Sequence, residues 1–174
     1  MQLYHVVGDA TQPVKKPAII CHVANDEGKW GSGFVLALGK AYPKAESEYR
    51  SLAPSQCVLG YTQFVIDGDV TIANMIAQHG VRPHQGIPLR YSSLNICLSD
   101  VQNRALAEDR TVHMPRIGAK RGCGDWNVIK AIIMATMKVD TYVYTLPAEA
   151  NDWPETKVQV ALGANTSSEA KGAL

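Results

Sequence analysis

Two stretches of this chain share one pattern: an apolar run, a turn containing glycines, and a helix-like segment. The first is AIICHV (18–23), then ANDEGKWGSG (24–33), then FVLAL (34–38). The second is VHMPRI (112–117), then GAKRGCG (118–124), then Asp125-Trp126 and an apolar helix. A glycine loop that leaves a strand and opens a helix presents several backbone N–H groups to one anion, and the helix dipole adds to the attraction. Two such loops in one small domain point to a ligand with a bridging diphosphate.

The rest of the chain supplies a matching frame. Residues 2–7 are strand-like and end at Gly8-Asp9. Residues 34–40 read as a helix, interrupted by Tyr42-Pro43 and resumed as a short charged helix over 44–51. Residues 58–66 and 70–76 read as strands flanking Asp67-Gly68-Asp69, a hairpin signal. The segment 78–88 carries two prolines and two glycines, so an irregular loop is expected. From Tyr91, the positions Leu94, Cys97, Leu98, Val101 and Ala105 fall at helical spacing. Residues 111–117 and 141–146 are further strands, with Ile129, Ile132, Ile133 and Met137 marking a buried helix face between them. Strands mostly alternate with helices around one central hairpin, so the expected fold class is α/β, with a mixed sheet between helical layers. At 174 residues the chain makes one domain with a full core. The expected domain covers 1–147; residues 148–174 are expected to be a tail, with 158–162 as a candidate edge strand.

Composition removes several function classes. The net charge of +1 and the absence of a basic stripe argue against a nucleic-acid binder working by phosphate neutralisation. Four cysteines (Cys21, Cys57, Cys97, Cys123) form no C-x-x-C pair, which suits buried free thiols in a reducing compartment. The N-terminus lacks the basic flank and apolar run of a signal peptide, and no stretch has membrane-spanning length. A cytoplasmic, monomeric protein is expected. The histidines and cysteines show no ligand spacing, so neither a metal nor a cofactor is expected. Both standard nucleotide loops are also missing. Neither glycine loop ends in Lys-Ser/Thr, and after Gly31 and Gly33 the dinucleotide fingerprint lapses at Val35 and Leu36.

The order Gly8-Asp9-Ala10, His22-Val-Ala-Asn25, Trp30-Gly-Ser-Gly33 and Met114-Pro-Arg-Ile-Gly118 resembles a macrodomain over residues 1–146. Within that superfamily, ANMIAQHG (73–80) and VHMPRIG (112–118) resemble the branch of the chromatin-remodeller macrodomain and the terminal ADP-ribose–glutamate hydrolase. The resemblance implies a three-layer α/β/α sandwich and a cleft for ADP-ribose. It implies that Asp9 accepts from the adenine amino group with the Ala10 N–H beside it. Read from the residues alone, Asp9 caps a turn. Asn25 and Asp26 would approach the distal ribose, or else form an Asx turn. Gly31, Ser32 and Gly33 would bring amides to the diphosphate, with Phe34 opening the helix behind them; a side chain at Gly33 would collide with ligand. Ile117, Gly118, Ala119, Lys120, Arg121, Gly122, Cys123 and Gly124 would form the opposite wall, Lys120 and Arg121 facing either the diphosphate or water. Asp125 reads as a helix N-cap. Tyr144 and Leu146 would wall the adenine pocket, and core packing is the plainer role for both.

For catalysis, the resemblance implies a lysine–aspartate pair, and this chain carries Gln78 and Gly122 at those two positions. Gln78 is neither nucleophile nor base, but it can orient water or a ribose hydroxyl. Asp26 is a candidate for activating water, Arg82 for polarising a leaving carboxylate, and His79 for proton transfer. The expected activity is hydrolysis of ADP-ribosyl esters on acidic side chains of an ADP-ribosylated protein. The alternatives are a non-catalytic reader of ADP-ribose or poly-ADP-ribose, and a phosphatase for ADP-ribose 1″-phosphate.

Overall fold

The structure is a computed structural model and describes residues 1–81 and 86–153. Its elements follow in the order β1 (Leu3–Val7), β2 (Ala18–Asn25), α1 (Phe34–Ala41), α2 (Pro43–Arg50), β3 (Thr62–Asp67), β4 (Val70–Gln78), α3 (Tyr91–Ala107), β5 (Thr111–Pro115), α4 (Trp126–Thr136) and β6 (Thr141–Thr145), then a 3-10 helix over Pro147–Asp152. One six-stranded sheet has the order β1-β6-β5-β2-β4-β3. Every neighbouring pair is parallel except the β3–β4 hairpin. The mixed sheet with helices on both faces is the expected α/β fold.

Central strands are buried on both faces because helices cover both, so β2 and β4 read as mostly apolar runs broken by a few polar residues such as His22 and Asn74. On one face Ile19, Cys21, Met75, Val112, Met114 and Val143 meet the α3 stripe of Leu94, Cys97, Leu98 and Val101 and the α4 pair Ile129 and Ile133. On the other, Ile20, Ala24, Ile72 and Ile76 meet Leu38 of α1 and Ala45 and Tyr49 of α2. A third cluster (Val6, Ala10, Tyr142, Tyr144) lies over β1 and β6. There the segment between β1 and β2 takes the place of a helix. The Val14 N–H donates to the Tyr144 hydroxyl at 3.0 Å. That hydroxyl is 2.9 Å from His113 Nδ1, and His113 Nε2 is 2.9 Å from Thr111 Oγ1.

Some boundaries differ from the sequence reading. The strand expected from residue 58 starts at Thr62, because Gly60 has φ +92° and residues 58–61 form a turn. The strand expected to reach residue 117 ends at Pro115. Gly68, at φ +60°, opens the two-residue turn between β3 and β4. Of the four free thiols only Cys21 and Cys97 are buried; Cys57 is half-buried and Cys123 exposed. Within residues 148–153, assigned to the tail, Trp153 is set against the α3–α4 side of the core and Glu149 pairs with Lys120. The proposed edge strand at 158–162 lies outside the described residues. Among those described, no helix is long and apolar enough to cross a membrane.

Candidate functional site

Five adjacent strands (β1, β6, β5, β2 and β4) point the same way, so the loops at their C-terminal ends lie in a row along one rim of the sheet. Open α/β sheets bind ligands there. A cavity of about 520 Å³ opens on this rim, and both glycine loops contribute to its wall.

The first loop is held by its own polar groups. Asn25 Oδ1 accepts the Glu27 and Lys29 N–H groups, both at 3.0 Å, and Nδ2 donates to Lys29 O at 2.7 Å. Asn25 thus forms the Asx-type turn that was the alternative to its ribose contact, and it does not line the cavity. Trp30 is buried against His22 and Tyr49, which anchors the far end of the loop. Between these anchors the chain runs exposed through Gly31, Ser32 and Gly33. Ser32, Gly33 and Phe34 line the cavity and Gly31 does not. Gly33 sits at φ +80° and ψ −147°, a conformation reserved for glycine, and is the N-cap of α1. No side chain caps that terminus and no acidic residue sits in its first turn. Its amides are thus open to an anion, and Val35 and Ala37 extend the wall behind them.

The second loop folds back on itself. The Gly124 N–H donates to Gly118 O at 2.9 Å, and Gly122 O accepts from the Leu89 N–H at 3.1 Å. A Cβ on Gly122 would stand 2.6 Å from Gly118 O, and one on Gly124 2.5 Å from Leu89 Cδ2. These glycines serve the loop's own tight packing. Ile117, Gly118, Lys120, Arg121 and Gly122 line the cavity, while Ala119, Cys123 and Gly124 do not. Asp125 caps α4 as expected, accepting the Asn127 N–H at 2.8 Å. Lys120 and Arg121 reach in opposite directions. Lys120 Nζ pairs with Glu149 of the 3-10 helix. The Arg121 side chain lies across Gly33, whose Cβ, if present, would be 3.6 Å from Arg121 Cγ. The two loops therefore close on one space.

At one end of the row Asp9 and Ala10 follow β1. Asp9 Oδ1 accepts the Thr11 N–H at 2.9 Å, so the carboxylate does cap a turn, and Oδ2 has no partner among the described residues. Tyr144 of β6 and Leu146 just after it stand beside them; Tyr144 is buried and Leu146 exposed. Burial pushes the Tyr144 hydroxyl up to about 12, which keeps it a neutral donor.

At the other end, the register of β2 against β4 shifts between Ala24 and Asn25, setting Gln78 opposite Asn25. Such a bulge re-aims a side chain, and Gln78 lines the cavity. Its Nε2 donates to Gly80 O at 2.9 Å, which leaves the amide oxygen for another partner. Asp26 and His79 are not on the wall. Asp26 Oδ2 lies 2.7 Å from His79 Nδ1, and Oδ1 accepts the Gly80 N–H at 2.8 Å. Asp26, expected as the base, and His79, expected as the proton carrier, thus clasp each other and the Gly80 N–H beside Gln78. Arg82 lies outside the described residues.

Several wall residues were not singled out from the sequence. His22 donates through Nε2 to Asn74 Oδ1 at 2.6 Å, a direction set by Asn74 Nδ2 donating to Ala45 and Gln63. Burial lowers its pKa to about 4, so it is neutral. Arg116 packs its guanidinium between Trp126 (4.9 Å) and Trp153 (4.1 Å) and donates from Nε to Thr145. Gly8, Val23, Pro115 and Glu149 complete the cavity. Among the described residues, no group of three or more His, Cys, Asp or Glu is placed to hold a metal ion.

The fold is shared with known proteins. A macrodomain protein from Streptomyces coelicolor is 36% identical, with a TM-score of 0.71 over 83% of this chain and 99% of that one. The chain belongs to the macrodomain family. A Bacteroides thetaiotaomicron protein of unknown function is 37% identical with a TM-score of 0.78, covering 83% of this chain and 98% of that one. DarTG from Thermosipho africanus, solved in complex with ADP-ribose, is 12% identical with a TM-score of 0.58, covering 75% of this macrodomain and 38% of that chain, a likeness of fold alone. Mouse chromodomain-helicase-DNA-binding protein 1-like is 27% identical over 158 residues, 82% of this macrodomain. The macrodomain spans only 18% of that relative's length. No family model matches the chain.

Proposed function

We propose that this macrodomain binds ADP-ribose and hydrolyses ADP-ribosyl esters on acidic side chains. The observation that carries the reading is the meeting of the two glycine loops at Gly33 and Arg121 over one cavity. An uncapped helix start on one side and Arg121 on the other suit a diphosphate. Asp9 and Tyr144 at one end suit an adenine, whose exocyclic amine is a donor. Gln78 at the other end suits the distal ribose. DarTG, which shares the fold, is in complex with the same ligand.

Hydrolysis here rests on positioning. Water adds to the anomeric carbon, the bond from that carbon to the ester oxygen breaks, and the acidic side chain leaves as a free carboxylate with the proton passing to solvent. Gln78 orients the water through its amide oxygen, and the bound diphosphate fixes the sugar against it. A lysine adduct is unavailable, because Gln78 and Gly122 occupy the expected lysine and aspartate positions. The engagement of Asp26 with His79 and Gly80 favours a second reading, binding without turnover.

The deciding experiment incubates the protein with a glutamate-ADP-ribosylated substrate and follows free ADP-ribose. Release that slows in Gln78→Ala by more than the affinity falls supports hydrolysis through Gln78. Retained binding with no release leaves a reader. Failure to bind ADP-ribose at all refutes both.

A further inference from the structure

The Lys120–Glu149 pair joins the second glycine loop to the 3-10 helix across the cavity wall, and neither the diphosphate nor the hydrolytic step requires Glu149. The strand order fixes where along the rim this pair stands. Asp9 follows β1, Glu149 follows β6, the second glycine loop follows β5, the first follows β2, and Gln78 follows β4. Glu149 is tied to the β6 end, its N–H donating to Leu146 O at 2.8 Å. It therefore lies between the reader of the base and the cradle of the phosphates. In a nucleoside diphosphate sugar, the group between base and diphosphate is the nucleoside's ribose.

We infer that Glu149, held by Lys120, selects ligands whose nucleoside ribose carries a free diol and rejects those phosphorylated there. This rests on the ADP-ribose reading above. A carboxylate is an acceptor for two adjacent hydroxyl donors and repels a phosphate dianion. Lys120 offsets that repulsion only in part, because the pair is exposed and solvent screens the lysine head. Both side chains are substantially exposed, 59% for Lys120 and 33% for Glu149. An exposed pair of this kind is held weakly, so a ligand hydroxyl can share the carboxylate without breaking the fold.

The test titrates wild type and Glu149→Gln with ADP-ribose and with ADP-ribose 2′-phosphate by calorimetry. Wild type is expected to prefer ADP-ribose. In Glu149→Gln the repulsion goes and Lys120 is released to the added phosphate. The two affinities should then move in opposite directions, ADP-ribose weaker and its 2′-phosphate tighter, with their ratio changing by about tenfold or more. Equal changes for both ligands would make the pair a structural clasp and overturn the inference, as would a wild type with no preference. If wild type binds neither ligand, the ADP-ribose reading fails first and this inference falls with it.

Discussion

Acidification should unfold this domain through two buried histidines well before most carboxylates protonate. His22 and His113 are each lowered from the ordinary 6.5 to about 4, burial being the first cause for both. Each is locked as a neutral ring. His22 donates to Asn74 Oδ1, and His113 Nδ1 lies 2.9 Å from the Tyr144 hydroxyl, which already accepts from the Val14 N–H. The unfolded chain takes up protons near pH 6.5 and the folded chain only near 4, so stability is full above 6.5 and falls as the pH drops through this window. A lowering from 6.5 to about 4 is worth roughly 3 kcal/mol for each ring, about 6 kcal/mol together. That is comparable with the whole stability of a small domain, about 5–15 kcal/mol. Urea unfolding at a series of pH values from 7.5 to 4.5 measures the loss. A His113→Gln variant, whose amide can make the same two hydrogen bonds without titrating, should show roughly half the dependence. A free energy that stays flat from pH 7 to 5, or a variant with unchanged dependence, would refute the claim that these rings are held neutral.

Three substitutions test the site directly. Asp9→Ala should weaken ADP-ribose binding by about tenfold or more, the worth of a charge-assisted hydrogen bond, and should lower stability by about 1 kcal/mol through the lost cap on Thr11; calorimetry and thermal melting read the two separately. Gly33→Val forces a β-branched residue into φ +80° with its Cβ toward Arg121, so affinity should collapse beyond any loss of stability. Unchanged affinity there would mean the loops do not close on the ligand. Gly122→Ala places a Cβ 2.6 Å from the Gly118 carbonyl, so the second loop must open; about 1–3 kcal/mol of stability should go with it, seen as a lower melting temperature.

The frame of the fold was legible because its signals are local and periodic. The α3 stripe, the Gly68 turn and the Asp125 cap each follow from a few adjacent residues. So does the pairing of the two glycine loops, since each stands between an apolar strand and a helix. What escaped reading depends on partners distant in sequence or on choices that local chemistry leaves open. Residues 58–61 are as apolar as a strand, yet Gly60 turns the chain. Asn25 and Asp26 had two chemically equal uses, and only the path of the loop selects the Asx turn and the clasp on His79. Arg116 lies inside a recognised motif, but nothing nearby announces that Trp126 and Trp153 will sandwich it. Glu149 lies in a stretch with no pattern of its own, and the Lys120 contact that brings it to the cavity spans nearly thirty positions.

The parallel row of strand ends also acts as a measuring rule. Neighbouring strands stand about 4.8 Å apart, so the four steps from β1 to β4 set out roughly 19 Å of rim. A mononucleotide laid along it from Asp9 runs out near the second glycine loop and leaves the Gln78 end untouched, whereas an extended dinucleotide-sized molecule covers the whole span. The reach a ligand needs to touch both ends thus follows from backbone spacing, while Asp9 at one end and Gln78 at the other set which way round it lies.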